Sequence, residues 1–235
     1  MDKIGKPSYL GHRARLRRKF GKGGEQALLE HEVLELLLTF AIPRRDTKPL
    51  AWALIKKFGS LNGVLDAGEQ ELSEVEGIGA SSALLIHIVR ATMRKYYLEQ
   101  IKARKEIKTP QSVVDFCRAS LQCESNEVFE IIYLTSRSTV IDVERITIGT
   151  IDRASISPRK IVESALKKKA AALIFVHNHP SGEPSPSRED IELTEAFTKI
   201  ASSLGIAVMD HIIVGRGKFF SIRANCEIKS PTEIL

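Results

Sequence analysis

Three residues in the second half of this chain have the types and spacing of a metal site: His177, His179 and Asp190. The histidines follow Ala170-Ala171-Ala172-Leu173-Ile174-Phe175-Val176, a continuous apolar run of the kind that fills a strand buried on both faces. Side chains alternate along a strand, so two residues two apart share a face and can converge. Pro180 and Gly182 end the strand and turn the chain. Ser187 then has the composition of a helix N-cap, with Asp190 three residues on completing a capping-box pair. Two imidazoles at a strand end and a carboxylate at a helix start make three N/O ligands. That set suits zinc and leaves a fourth position for water.

Taken singly, each residue has a plainer explanation. His-x-His is common, and Asp190 alone is a carboxylate near the positive end of a helix dipole. The combination, placed at the end of a buried strand and the start of the next helix, is what points to a metal.

Which elements must hold this site? Thr109-Pro110 divides the sequence into a helical part, residues 1–108, and a part of alternating strands and helices, residues 109–235. In the second part Val128–Leu134 reads as a strand, Ser136-Arg137-Ser138 as a turn and Val140–Ile148 as the antiparallel return. Ser157-Pro158 opens a helix through Lys168. The strand before His177 comes next, then a helix from Arg188 to Leu204. Ile206–Val214 and Phe219–Ile222 form a hairpin around Gly215-Arg216-Gly217. The class is α+β: an all-helical amino-terminal domain, then a mixed sheet flanked by helices.

The helical part has a core-facing helix over Glu25–Phe40 and another ending near Phe58, with Trp52 assigned to the core beside Leu50, Leu54 and Ile55. His31 and His87 read as structural. Charge is uneven: residues 1–108 carry 20 Lys and Arg against 13 Asp and Glu, net +7, whereas residues 109–235 carry 15 against 16, net −1. Arg13, Arg15, Arg17, Arg18 and Lys19 crowd one segment. Such asymmetry suggests an anionic partner, nucleic acid above all, against the alternative of a solvated basic surface. Gly77-Ile78-Gly79, between a short helix and a long one starting near Ala80, would expose backbone N–H groups to a phosphate, with Ile78 anchored in the core. The acidic Glu71, Glu74 and Glu76 nearby oppose that use, and Gly-x-Gly turns also join helices that bind nothing. Cys117, Cys123 and Cys226 have no metal-like spacing and suit a reducing cytoplasm. No apolar run is long enough to span a bilayer, and the basic start lacks a signal-peptide core.

His177-x-His179 with Asp190 eleven residues on resembles the JAMM metalloprotease motif. His177-Asn178-His179-Pro180-Ser181-Gly182, with Asp210-His211-Ile212-Ile213-Val214-Gly215 downstream, resembles the bacterial RadC family within that JAB/MPN superfamily. Phe58–Ile86 resembles helix-hairpin-helix DNA-binding modules. Asn178 stands where most eukaryotic JAMM relatives carry Ser, which fits the RadC branch. The resemblance implies a JAB/MPN, cytidine-deaminase-like fold, a zinc ion on His177, His179 and Asp190, and a peptide or protein substrate. It further implies a glutamate base before the first strand. Glu127 is preferred over Glu130, which stands at the glycine of the family's Glu-x-x-Gly-x-Leu pattern. Ser187 would donate to the oxyanion of the tetrahedral intermediate, with pure capping as the alternative. Asp210 and His211 read as a structural pair rather than outer supports of the metal. The competing function is a DNA-binding protein or nuclease whose metal acts on nucleic acid or is structural. Nucleases usually carry a second metal and more carboxylates, so amide-bond hydrolysis is preferred.

Overall fold

The computed structural model describes residues 8–104, 106–122, 124, 126–148 and 156–228. The chain forms two compact units, Met1–Ala91 and Thr92–Leu235. No helix among the described residues is long and apolar enough to cross a membrane.

The first unit is helical. Helices α1 (Ser8–Gly23), α2 (Glu30–Ala41), α3 (Lys48–Phe58), α4 (Leu61–Asp66) and α5 (Glu69–Ser73) precede α6 (Ala80–Ala103), within which the unit boundary falls. The sequence places one helix over Glu25–Phe40, but a 3-10 turn, Glu25–Ala27, comes first and α2 begins at Glu30. Leu34, Leu38, Leu50, Leu54, Leu72 and Ile86 form the core. Gly59 ends α3 at φ 84°, a left-handed angle that favours glycine, and the Ser60 hydroxyl caps α4 by accepting Gly63 N–H at 3.0 Å. Trp52 departs from its expected core place. It is 49% exposed and stacks on His31 with ring centroids 4.2 Å apart.

In the second unit, α7 (Gln111–Leu121) leads into β1 (Val128–Leu134) and β2 (Val140–Ile148). Then come α8 (Pro158–Lys167), β3 (Ala172–Asn178), α9 (Arg188–Ser202), β4 (Ala207–Val214), β5 (Phe219–Ser221) and β6 (Cys226–Ile228). The sheet order is β2-β1-β3-β4-β5-β6. Among the described residues only β3 and β4 pair in parallel, through the α9 crossover, and the other pairs are antiparallel. Every residue of β1 and β3 is buried, as their unbroken apolar sequences require of central strands covered on both sides. On one face Phe129, Ile131, Tyr133, Leu173 and Phe175 pack against Ile161 and Ala165 of α8 and Phe197 and Ala201 of α9. On the other Ile132, Leu134, Ile174, Val176, Ile212 and Val214 pack against Val113, Val114, Phe116, Cys117 and Leu121 of α7. Cys117 is buried and Cys226 exposed; Cys123 lies outside the described residues. The fold is α+β, with the mixed sheet between helical layers.

Candidate metal centre

The antiparallel pairing of β1 and β3 sets Phe129 opposite His177, so the Phe129 face of the sheet is also the His177 face. β3 ends at Asn178, where His179 N–H still bonds the Val214 carbonyl at 2.9 Å, and the chain then turns away through Pro180. Gly182, at φ 88°, donates to the His179 carbonyl and accepts Arg216 N–H at 2.8 Å. The β4–β5 turn lies so close that a Cβ on Gly215 would stand 2.4 Å from the Gly182 carbonyl oxygen. These contacts hold the loop against the sheet and deliver Ser187 to the start of α9. Ser187 and Asp190 form the expected capping box: Asp190 N–H reaches Ser187 Oγ at 3.1 Å, and Ser187 N–H reaches Asp190 Oδ2 at 2.8 Å.

His177, His179 and Asp190 thereby meet. Their ligand atoms lie within 4.8 Å of one another. His177 Nε2 stands 2.9 Å from His179 Nε2 and 3.2 Å from Asp190 Oδ1, and His179 Nε2 is 3.4 Å from Asp190 Oδ2.

The surrounding hydrogen bonds set the tautomers. The Asp190 carbonyl can only accept, and it takes the Thr194 hydroxyl proton at 2.6 Å. Thr194 Oγ1 must therefore accept from His211 Nδ1–H, also 2.6 Å away. His211 Nε2 is left with a lone pair for His177 Nδ1–H at 2.7 Å. His177 Nε2 then carries a lone pair too. His179 Nδ1 donates to the Glu183 carbonyl at 2.8 Å, which leaves its Nε2 in the same state. With both rings neutral, two imidazole lone pairs and a carboxylate face one point, and none of the three contributes a proton. Such a cluster repels itself unless a cation sits in it, and the three donors fit zinc.

Burial pushes His177 down to about 4, so it is neutral and ready to ligate at physiological pH. His211 is lowered well below its usual range, first by burial and then by the neighbouring His177. Burial works to raise Asp190, but its bonds with the His179 ring and with Ser187 prevail and hold it well below the carboxylate range. His179 is raised, first by its bond to Asp190, so a proton on Nε2 and a metal ion compete for the same lone pair.

The Ser187 hydroxyl donates to Asp190 Oδ2 at 2.7 Å and accepts the Asp190 N–H as a cap. Two residues have tasks other than those the sequence suggested. The His211 ring supports His177 in place of pairing with Asp210, whose carboxylate takes from this neighbour only its backbone N–H. A register shift in β3–β4 beyond the Leu173–Val208 pair decides which neighbour takes which face: His211 turns to His177, and Asp210 turns away to a bond with Ser221 Oγ at 2.7 Å. Arg13 is buried. Its guanidinium donates to the carbonyls of Pro43 at 2.6 Å, Ile42 at 2.7 Å and Arg45, closing the carboxyl end of α2, so it does not belong with the exposed cations.

Glu127 immediately precedes β1 and shares the alternation of Phe129, toward the histidines; its charge contributes to the rise of His179. Glu130 points to the other face and is fully buried. It accepts from Ser120 Oγ at 2.8 Å, Arg94 at 3.2 Å and Arg145 at 3.0 Å. The structure also brings in Thr194 and Asn178, which sequence reading left without a task. Asn178 Oδ1 accepts Val128 N–H at 2.8 Å, while Nδ2 donates to the carbonyls of Glu124 and Asn126, each at 3.1 Å.

Away from the metal centre, Ile78 is buried as expected. Gly77 adopts φ 87°, and a Cβ there would meet Leu50 at 2.8 Å. Gly79 is exposed with nothing near its Cβ position, and its carbonyl accepts the first N–H bonds of α6 from Ser82 and Ala83. Arg17 and Arg18 are exposed, Arg17 5.7 Å above the Phe40 ring.

A mixed α+β sheet domain with two strand-end histidines and a helix-start aspartate belongs to the JAB/MPN class. The family model described as RadC-like JAB domain matches residues 107–227, more than half of the chain, and the chain belongs to the RadC family.

Proposed function

We propose that this RadC-family protein is a zinc-dependent hydrolase of a peptide or isopeptide bond, acting at His177, His179 and Asp190. One observation carries the reading: with both rings neutral, the two Nε2 lone pairs and the Asp190 carboxylate converge on one point. Zinc, when bound, supplies a Lewis acid that polarises the scissile carbonyl and acidifies water. Glu127 is the general base, taking a proton from the attacking water and passing it to the departing amine. Thr194 and His211 hold the His177 tautomer, and Ser187 holds Asp190. Glu130, already held by two guanidinium groups, is structural.

The test is a proteome-derived peptide mixture incubated with zinc-loaded protein and read by mass spectrometry. Wild type should cleave a defined subset, and Glu127→Gln should retain one zinc per chain with turnover down about 100-fold or more. Absence of bound zinc, or cleavage unchanged by Glu127→Gln, would refute the reading.

The helical part of the sequence, residues 1–108, is proposed to contact nucleic acid through phosphates. Support comes from the +7 charge of residues 1–108, the exposure of Arg17 and Arg18, and the open backbone at Gly79. Binding of full-length protein to duplex DNA should weaken with salt by about 0.9 logarithmic units per phosphate contact per decade, and fall further on Arg17→Glu with Arg18→Glu. Salt-insensitive affinity would point to a protein partner instead.

A further inference from the structure

We infer that Asn178 is a positioning residue for the base: standing between the two histidines, it grips the segment that carries Glu127. This inference rests on the hydrolase reading and extends it to a side chain that touches neither metal nor substrate.

The strand explains the reach. His177 faces one side of the sheet, so Asn178 faces the other, where it is 2% exposed. Antiparallel pairing sets Phe129 opposite His177 and brings the start of β1 beside Asn178. The side-chain amide is used up there. Its oxygen takes Val128 N–H, and its NH2 group spans the carbonyls of Glu124 and Asn126. Glu127 thus lies between two anchored residues, Asn126 and Val128. A second hold lies at Glu124, whose carboxylate accepts Arg145 NH1 at 2.9 Å, while Arg145 also bonds buried Glu130. A base must be held to within about half an ångström to work, and a short segment outside the strand does not achieve this unaided. The two ligands and the base are therefore fixed by three consecutive residues of one strand end, two on one face and the third reaching around the other.

No other side chain of this size makes all three bonds. Asn178→Asp keeps the acceptor for Val128 but places carboxylate oxygen against two carbonyl oxygens. Asn178→Ser loses the reach without adding charge, and so controls for the new charge. Both variants and wild type are loaded with zinc, and three quantities are read: zinc content, kinetics on the peptide of the mixture that wild type cleaves best, and amide hydrogen exchange over residues 124–128. The expected result for both variants is one zinc per chain, kcat lower by about 10–100-fold with KM within about twofold, and faster exchange confined to that segment. Wild-type kcat in both variants, or zinc lost in step with activity, would overturn the inference. If wild type cleaves no peptide, the hydrolase reading fails; unchanged exchange in both variants would remove the grip itself.

Discussion

The two faces of the central sheet each bury a carboxylate, and they treat it in opposite ways. Glu130 meets the guanidinium groups of Arg94 and Arg145 and the Ser120 hydroxyl, so its charge is answered from within the chain. Asp190 meets a hydroxyl and a backbone N–H on one oxygen, and on its inner side two imidazoles presenting lone pairs. The first cluster is complete; the second is an acceptor set that a cation completes. Burial of charge by itself says little about function, and the balance of donors against acceptors separates a structural ion network from a ligand site.

The largest effect should come from breaking the complete cluster. Glu130→Ala leaves two partly buried guanidinium groups without their carboxylate and should lower stability by about 3 kcal/mol in chemical denaturation, with zinc present or absent. A loss well below 1 kcal/mol would show that this network is not closed as described. Next in size is completion of the open one. Zinc at about one hundred times its dissociation constant should stabilise wild type by about 2.7 kcal/mol, and His179→Ala should abolish that gain. Equal stabilisation of both proteins would place the ion elsewhere. The smallest effect sharpens the comparison by altering only the orienting partner: His211→Phe, in a pocket walled by Phe129 and Phe175, should weaken zinc by 10–100-fold, about 1.4–2.7 kcal/mol, in chelator competition.

Much of this could be read from the sequence, for identifiable reasons. β1, β2, β3 and α9 are bounded by turn residues and caps, and the apolar runs of β1 and β3 leave no choice of face. The ligand trio was visible because a strand end and a capped helix start fix three positions with little freedom. His211 was not visible in its true role. Simple alternation from Val208 would turn Asp210 toward His177 and His211 away, and the register shift in β4 inverts this. Asn178 escaped because its partners are backbone groups some fifty residues earlier in the chain, which carry no side-chain signal. Arg13 escaped because a run of cations reads as a solvated face, whereas one member turned inward to carbonyls that only the folded α2 end assembles. β6, three residues long, is too short for a period to declare itself.

The near-contact of Gly182 with Gly215 has a consequence for how such a protein can diversify. Two loops distant in sequence are pinned backbone to backbone, with Arg216 N–H on the Gly182 carbonyl and no room for a Cβ at Gly215. Neither loop can gain or lose a residue alone without parting that seam and shifting His179, which donates to Glu183 one residue further on. The rim on this side of the site is therefore free to change by substitution but not by length. New selectivity acquired here would come from exchanging side chains such as Arg216 on a fixed frame, and insertions would be tolerated only where the frame is not stitched.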